Sequence, residues 1–237
     1  AGPLAVKAVD DTVFWMGVEE FYVYTGQVQK LPCSVRSYVF NDFNVEQQSQ
    51  VTAGLNSSFS EIWWFYPSSS STVLDRYVVF NYEEKVWYYG TMVRTYWLDR
   101  GVNDYPVAAN TDGYLYNHEV GLNDGTTTPA SAISSYIQSS QLSIGEGEEF
   151  VFLNRLIPDL TFDASTDASA SVNMTLETRN YPGGPYLQTN ASAVTQTSTT
   201  PVEQFTTEAY IRLRGRSFAL KVDSSTTDIQ WRLGSPR

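Results

Sequence analysis

Along most of the chain, apolar and polar side chains alternate with a period of two, the period of an extended strand whose successive side chains face opposite ways. β-Branched and aromatic residues fill these runs, and clusters of Gly, Pro, Asn, Asp and Ser bound them, as strands and turns require. In the first half the pattern predicts strands at 12–16, 20–24, 61–66, 76–82, 85–90, 94–98 and 114–117. In the second it predicts strands at 132–144, 149–156, 171–179, 208–214, 217–222 and 229–233. Alternation is cleanest in SVNMTLETR, AYIRLRGR and FALKV, the signature of antiparallel strands with one wet face. One helical piece is expected over 44–51, with Asn44 as its cap and Gln47 as the capping-box partner. Residues 180–200 read as a long polar loop or extended hairpin with a Pro-Gly-Gly-Pro turn. The fold class is all-β.

A weak repeat refines that reading. TVFWMGVEEFYVYTG (12–26) and the stretch from Glu61 to Gly90 each read as an aromatic strand, a turn and an aromatic strand ending in Gly, and TDGYLYNHE (111–119) supplies half a unit. Recurring aromatic and Gly positions are what propeller blades leave in a sequence. Residues 123–135 are rich in Gly, Thr, Ser and Pro and fall where the aromatic repeat stops. We therefore expect incomplete propeller-like blades over 1–128 and an antiparallel β-sandwich over 129–237. Two and a half units do not close a ring, and the chain enters a strand-like run soon after a start without Met, so a piece of something longer is expected.

Composition narrows the functional classes. Aromatics make up 14% of the 237 residues and charged residues 17%, which excludes disorder over most of the length. A lone cysteine, Cys33, excludes an intramolecular disulfide, and with a single histidine it cannot build a Cys/His zinc site. No apolar run reaches the length of a membrane-spanning helix. The net charge of −11 disfavours wrapping nucleic acid as the main activity. It is uneven, −8 over 1–128 and −3 over 129–237, and from Glu208 onward basic residues outnumber acidic ones.

No nucleophile elbow, HExxH, P-loop, GxGxxG or EF-hand loop is present. No catalytic residue, metal ligand or cofactor is assigned, and the chain is expected not to be an enzyme. His118, in YNHE, reads as a surface loop residue and Cys33 as a buried thiol. Paired acids such as Asp10/Asp11, Glu19/Glu20 and Glu83/Glu84 read as solvated turns; DASTD (163–167) matches no calcium loop, and the sequons at Asn56, Asn173 and Asn190 decide nothing. Arg212, Arg214 and Arg216 alternate, so on a continuing strand they share one face. Three guanidiniums on one face call for carboxylates, phosphate or a partner; pairing with acids or an acidic subunit interface is the expected use.

The stretch EIWWFYPSSSSTVLDRYVVFNYEEKVWYYGTMVRTYWLDRG (61–101) resembles tail proteins of short-tailed bacteriophages, namely the tail nozzle or tail tubular protein B family. FWMGVEEFYVYTGQVQKLPCSVRSYVFND (14–42), IPDLTF (157–162), TPVEQFTTEAYIRLRGRSFALKV (200–222) and IQWRLGSPR (229–237) are similar to that group's C-terminal region. The resemblance implies a virion structural protein made in the host cytoplasm. It would form a hexameric ring in the tail below the portal-proximal adaptor, in the company of tail fibre or spike proteins, with DNA passing through the lumen without specific binding. It also implies a β-propeller joined to a β-rich platform. Family members are longer than this chain. The alternative is a receptor- or carbohydrate-binding tail adhesin, with Trp64 and Trp87, and beside them Trp63 and Trp97, as the aromatic platform. Trp63 and Trp64 point to opposite faces of a strand, so at most one serves any one surface. A glycoside hydrolase using paired carboxylates ranks third.

Overall fold

The computed structural model describes residues 1–143, 148–181 and 197–236, and the class is all-β. The chain forms two compact units, 1–120 and 121–237.

The first unit opens with a four-stranded antiparallel meander, β1 (Val6–Val9), β2 (Thr12–Met16), β3 (Phe21–Tyr24) and β4 (Val28–Leu31). A short helix α1 (Arg36–Asn41) and a 3-10 turn at Val45–Gln50 lead to a second four-stranded meander, β5 (Thr52–Asn56), β6 (Glu61–Tyr66), β7 (Arg76–Asn81) and β8 (Val86–Thr91). Then β9 (Tyr96–Leu98), β10 (Val107–Ala109) and β11 (Leu115–Asn117) make a three-stranded sheet.

Why the sheets stack is written in β6, whose six residues EIWWFY are all buried. Ile62, Trp64 and Tyr66 pack with Phe14, Met16 and Phe21 of the first meander. Trp63 and Phe65, on the other face, pack with Trp97 and Ala108 of the third sheet. The middle sheet is thus covered on both faces, and an uninterrupted apolar run replaces alternation there. Trp63 lies stacked on Trp97 with centroids 5.0 Å apart and planes 11° apart. That approach needs Gly54, because a Cβ there would sit 2.5 Å from the Trp97 ring. Gly54→Ala should cost about 1–3 kcal/mol through overpacking, read as a lower midpoint in urea unfolding; an unchanged midpoint would show that the ring gives way.

In the first unit four strands escaped the pattern: β1 (VKAV), β4 (VQKL), β5 (TAGLN) and β10 (VAA), all short and poor in aromatics. The repeat is also coarser than its sequence image. Residues 12–26 hold two strands and 61–90 hold three. Gly26 sits in a turn at φ 96°, whereas Gly90 lies inside β8 against the Tyr77 hydroxyl, so the two are not equivalent. Over 44–51 the backbone is a 3-10 turn. Asn44 does cap it, but its Oδ1 accepts from the Glu46 N–H at 3.1 Å and leaves Gln47 out of any capping box.

In the second unit β12 (Asn123–Asp124) pairs with β13 (Ser131–Ala132). Asn123 holds Asp228, donating to its carboxylate at 2.8 Å and accepting from its N–H at 2.7 Å. Residues 121–128 therefore go with the second unit. The further strands are β14 (Ser135–Gln138), β15 (Leu142–Ser143), β16 (Val151–Leu156), β17 (Leu160–Thr161), β18 (Ser171–Arg179), β19 (Thr197–Glu203), β20 (Ala209–Gly215), β21 (Ser217–Ser224) and β22 (Arg232–Leu233). A five-stranded antiparallel sheet runs β14-β21-β18-β19, with β15 also on β21, while β16 pairs with β20 and β17 with β22. Val172, Met174 and Leu176 of β18 and Val222 of β21 meet Leu156, Ile211 and Leu213 from the β16–β20 pair, closing a two-layer core.

The expected strand at 132–144 is broken. β14 and β15 lie along the same edge of β21 with one extra residue between them, and the Ser139 hydroxyl fills the gap by accepting from the Leu220 N–H at 3.0 Å. The last residues of the expected loop at 180–200 begin β19 (Thr197–Glu203), a polar edge strand (TSTTPVE) on β18 in which Pro201 is tolerated. The Pro-Gly-Gly-Pro turn and Asn190 lie outside the described residues.

Candidate functional site

The outward face of β20 is where the predicted arginines lie. Burial alternates strictly along AYIRLRG, so Ala209, Ile211 and Leu213 enter the core while Tyr210, Arg212 and Arg214 face out. Phe152 of β16 stands directly across from Arg214 and is also exposed. Arg216 is not on that strand. It lies in the turn to β21, yet it converges with Arg214 on one ring: the two guanidinium carbons sit 4.9 Å and 4.4 Å from the centroid of Phe150. Stacking on an aromatic face orients a guanidinium without neutralising it.

The expected carboxylate partners are not beside these arginines. Among the described residues no acid comes within ion-pair distance of Arg212, Arg214 or Arg216, although Glu148 and Glu149 precede Phe150 in sequence. The nearby pair on this sheet is Arg155 with Glu208 at 3.3 Å, and Tyr210 donates to that same Glu208. Phe150 falls within the strand expected over 149–156, although the observed β16 begins at Val151; what sequence reasoning missed is that its ring lies under the guanidiniums of Arg214 and Arg216, for which nothing local gives a signal.

The aromatic platform is corrected. Trp64 is 0% exposed, with its ring 5.0 Å from Phe21 and its indole N–H donating to the Ala5 carbonyl at 3.0 Å. Trp87 is half-buried, packed 4.6 Å from Phe80, and donates to the Pro32 carbonyl. Trp63 and Trp97 are buried too. All four rings are used inside the unit, because sheets cover both faces of β6.

A polar cluster, buried at Asn56, Glu61 and Trp63 and open to solvent at Tyr88 and Glu119, sits where β5, β6 and β8 meet the chain after β11. Glu61 accepts from the Trp63 indole at 3.0 Å, the Tyr88 hydroxyl at 2.6 Å and the Asn56 amide at 3.4 Å. The Asn56 amide also reaches Glu119 at 3.2 Å. Loss of solvent and the nearby Glu61 charge raise the Glu119 pKa, and desolvation together with the bond to Glu61 raises that of Tyr88. Glu61 gathers these donors and ties the strand ends together, while the Asn56 Oδ1 is buried with no hydrogen-bond partner among the described residues. Asn56 is fully buried, so its sequon is inaccessible in the folded chain, whereas Asn173 is exposed.

His118 is not a free surface residue. Its ring lies 4.7 Å from Trp97, its Nε2 accepts from the Arg94 Nε–H at 2.9 Å, and Arg94 itself is buried. Burial and the Arg94 charge push its pKa down to about 4. The imidazole is therefore held neutral as an acceptor. Because the unfolded chain takes up the proton more readily, stability is lost as pH falls from the ordinary histidine range toward 4. The loss is about 2 kcal/mol once partial exposure is allowed for. His118→Gln, which keeps an acceptor, should flatten that part of the pH–stability curve, and an unchanged slope would refute the assignment. Cys33 is only half-buried rather than fully enclosed; desolvation still lifts its thiol pKa to about 11, leaving it a poor nucleophile.

The chain matches no protein-family model, and no curated protein is significantly similar to it.

Proposed function

We propose that this chain is a structural virion protein of a short-tailed phage, a subunit of the tail nozzle through which DNA leaves. The observation that carries the reading is the stack in the first unit: two successive four-stranded antiparallel meanders and a three-stranded sheet, packed face to face through aromatic layers. Four-stranded meanders packed in series are how propeller blades are built. The resemblance of residues 61–101 to nozzle proteins implies such blades joined to a β-rich platform, the place the second unit would take.

Charge supports the same reading. A conduit for DNA works better when its wall does not hold phosphate, and a chain with net charge −11 repels it within about one Debye length, roughly 8 Å at physiological salt. The exposed Arg/Tyr/Phe face of β20 has the composition of a protein interface. Contacts with other copies in a ring, with the portal-proximal adaptor and with fibre or spike proteins belong to this proposal.

Arg212→Glu with Arg214→Glu should leave the subunit folded, since both side chains point outward, yet exclude it from tails when particles are assembled in its presence. Wild-type incorporation of that variant would overturn the interface role.

A further inference from the structure

Three acids of the first unit are held in ion pairs, all at the end of the sheets near β6's last residues: Glu20 holds Lys30 at 3.1 Å and Arg36 at 3.0 Å, and Arg76 bridges Asp42 at 3.2 Å and Asp75 at 3.4 Å, while Glu19 and Glu46 on that side form none among the described residues.

The opposite end is different. Glu83 and Glu84 form the β7–β8 turn, beside the β5–β6 turn, to which the Tyr82 N–H bonds at the Ser60 carbonyl. Asp99, following β9, accepts from the Ser57 N–H at 3.2 Å, and Glu119, following β11, reaches Asn56. Asp10 and Asp11 turn β1 into β2; Phe14, three residues on, stacks against Tyr82 with centroids 6.4 Å apart. The topology thus gathers turn or flanking acids from all three sheets at one end. Among the described residues none of these six forms an ion pair. The basic groups there are Lys85, folded back on its own turn to the Tyr82 carbonyl, and exposed Arg100.

Among the described residues, one chain therefore carries an acidic end without ion pairs on its first unit and an arginine face without ion pairs on its second. We infer that these are the two halves of one head-to-tail contact: the β20 face of one copy, with Arg212, Arg214 and the Phe150-stacked Arg216, docks on the Glu83/Glu84 end of the first unit of the next copy. A contact between two different surfaces of the same chain is heterologous and closes into a ring when its rotation allows. Arginines already oriented by an aromatic ring lose less freedom on meeting carboxylates. The inference rests on the subunit reading above and adds to it the surfaces and the polarity of assembly.

Charge exchange tests it. Native mass spectrometry and sedimentation velocity would be run on the full chain, on Arg212→Glu/Arg214→Glu, on Glu83→Arg/Glu84→Arg, and on an equimolar mixture, with folding checked by near-UV circular dichroism. Wild type should form oligomers that loosen with added salt. Each variant alone should weaken association about a hundredfold or more, a size within reach of close interfacial charge pairs. The mixture should regain wild-type assembly with the variants alternating, because each supplies the face the other lacks. A monomeric wild type, a variant that assembles normally, or a mixture that does not recover would each overturn this contact. Oligomers indifferent to either reversal would sink the contact while leaving a nozzle subunit standing, since that reading is decided by position in the particle.

Discussion

Trp64→Ala should be the most damaging single substitution in the first unit, costing about 3–5 kcal/mol. The ring is fully buried among Phe21 and Trp87, at 5.0 Å and 5.9 Å, in the layer that joins the first two meanders. Truncation removes its buried area, opens a cavity between two sheets that are hydrogen-bonded within themselves, and leaves the Ala5 carbonyl without its indole donor. With a typical domain stability of about 5–15 kcal/mol, that loss brings the unit near its unfolding threshold. The expected observation is a first-unit unfolding transition moved far to lower urea, or absent at 37 °C. Trp64→Phe, which keeps most of the volume, should retain the fold at a smaller cost. Trp64→Ala with near-wild-type stability would mean the two meanders are not packed through this layer.

Glu61→Ala should follow closely, at about 3 kcal/mol or more, for a different reason. It deletes the acceptor shared by Trp63, Tyr88 and Asn56: the buried Trp63 indole N–H is left without a partner, the part-exposed Tyr88 hydroxyl must turn to water, and the Asn56 amide keeps only Glu119. Some of the cost is offset because the like charge beside Glu119 goes with it. Two signatures follow. Glu61→Gln should cost clearly less than Glu61→Ala, since an acceptor of the same shape remains, and in either variant the Glu119 pKa should fall back toward the ordinary carboxylate range. Urea unfolding and carboxyl titration by NMR read the two effects. Glu61→Ala within 1 kcal/mol of wild type would show the cluster to be solvated rather than structural.

What was legible in the sequence tracks how far burial is local. β18 spans Ser171–Arg179, the bounds the SVNMTLETR alternation predicts, because one face is core and the other wet along its length. β6 was equally plain from its aromatic density, but its two-sided burial was not, since that depends on a third sheet arriving some thirty residues later. The opposite orientation of Trp63 and Trp64 was readable; that neither ring would be free was not. β19 was hidden because an edge strand has little to bury, and TSTTPVE looks like a loop until β18 lies beside it.

The site divides the same way. Alternation along 208–214 put Arg212 and Arg214 on one face, and Arg216 would have joined them only on a continuing strand; the strand ends at Gly215, so Arg216 reaches Phe150 from the turn instead. Alternation could not supply the contact with Phe150, which belongs to a different strand approach. His118 illustrates the limit most directly. Its local context, a loop beside a glutamate, describes a surface residue, whereas Arg94 and Trp97 enclose it from another part of the third sheet. Local sequence carries strand periodicity well and carries partners across sheets poorly, because the pairing is set by topology.

The central claim concerns place, so the decisive measurement is a cryo-EM map of the particle that contains this chain. The account predicts a ring of copies around the axial channel below the portal-proximal adaptor, with the stacked meanders forming blades and each β20 face against a neighbouring copy. Location on a peripheral fibre or spike, away from the channel, would contradict it and make the chain an adhesin.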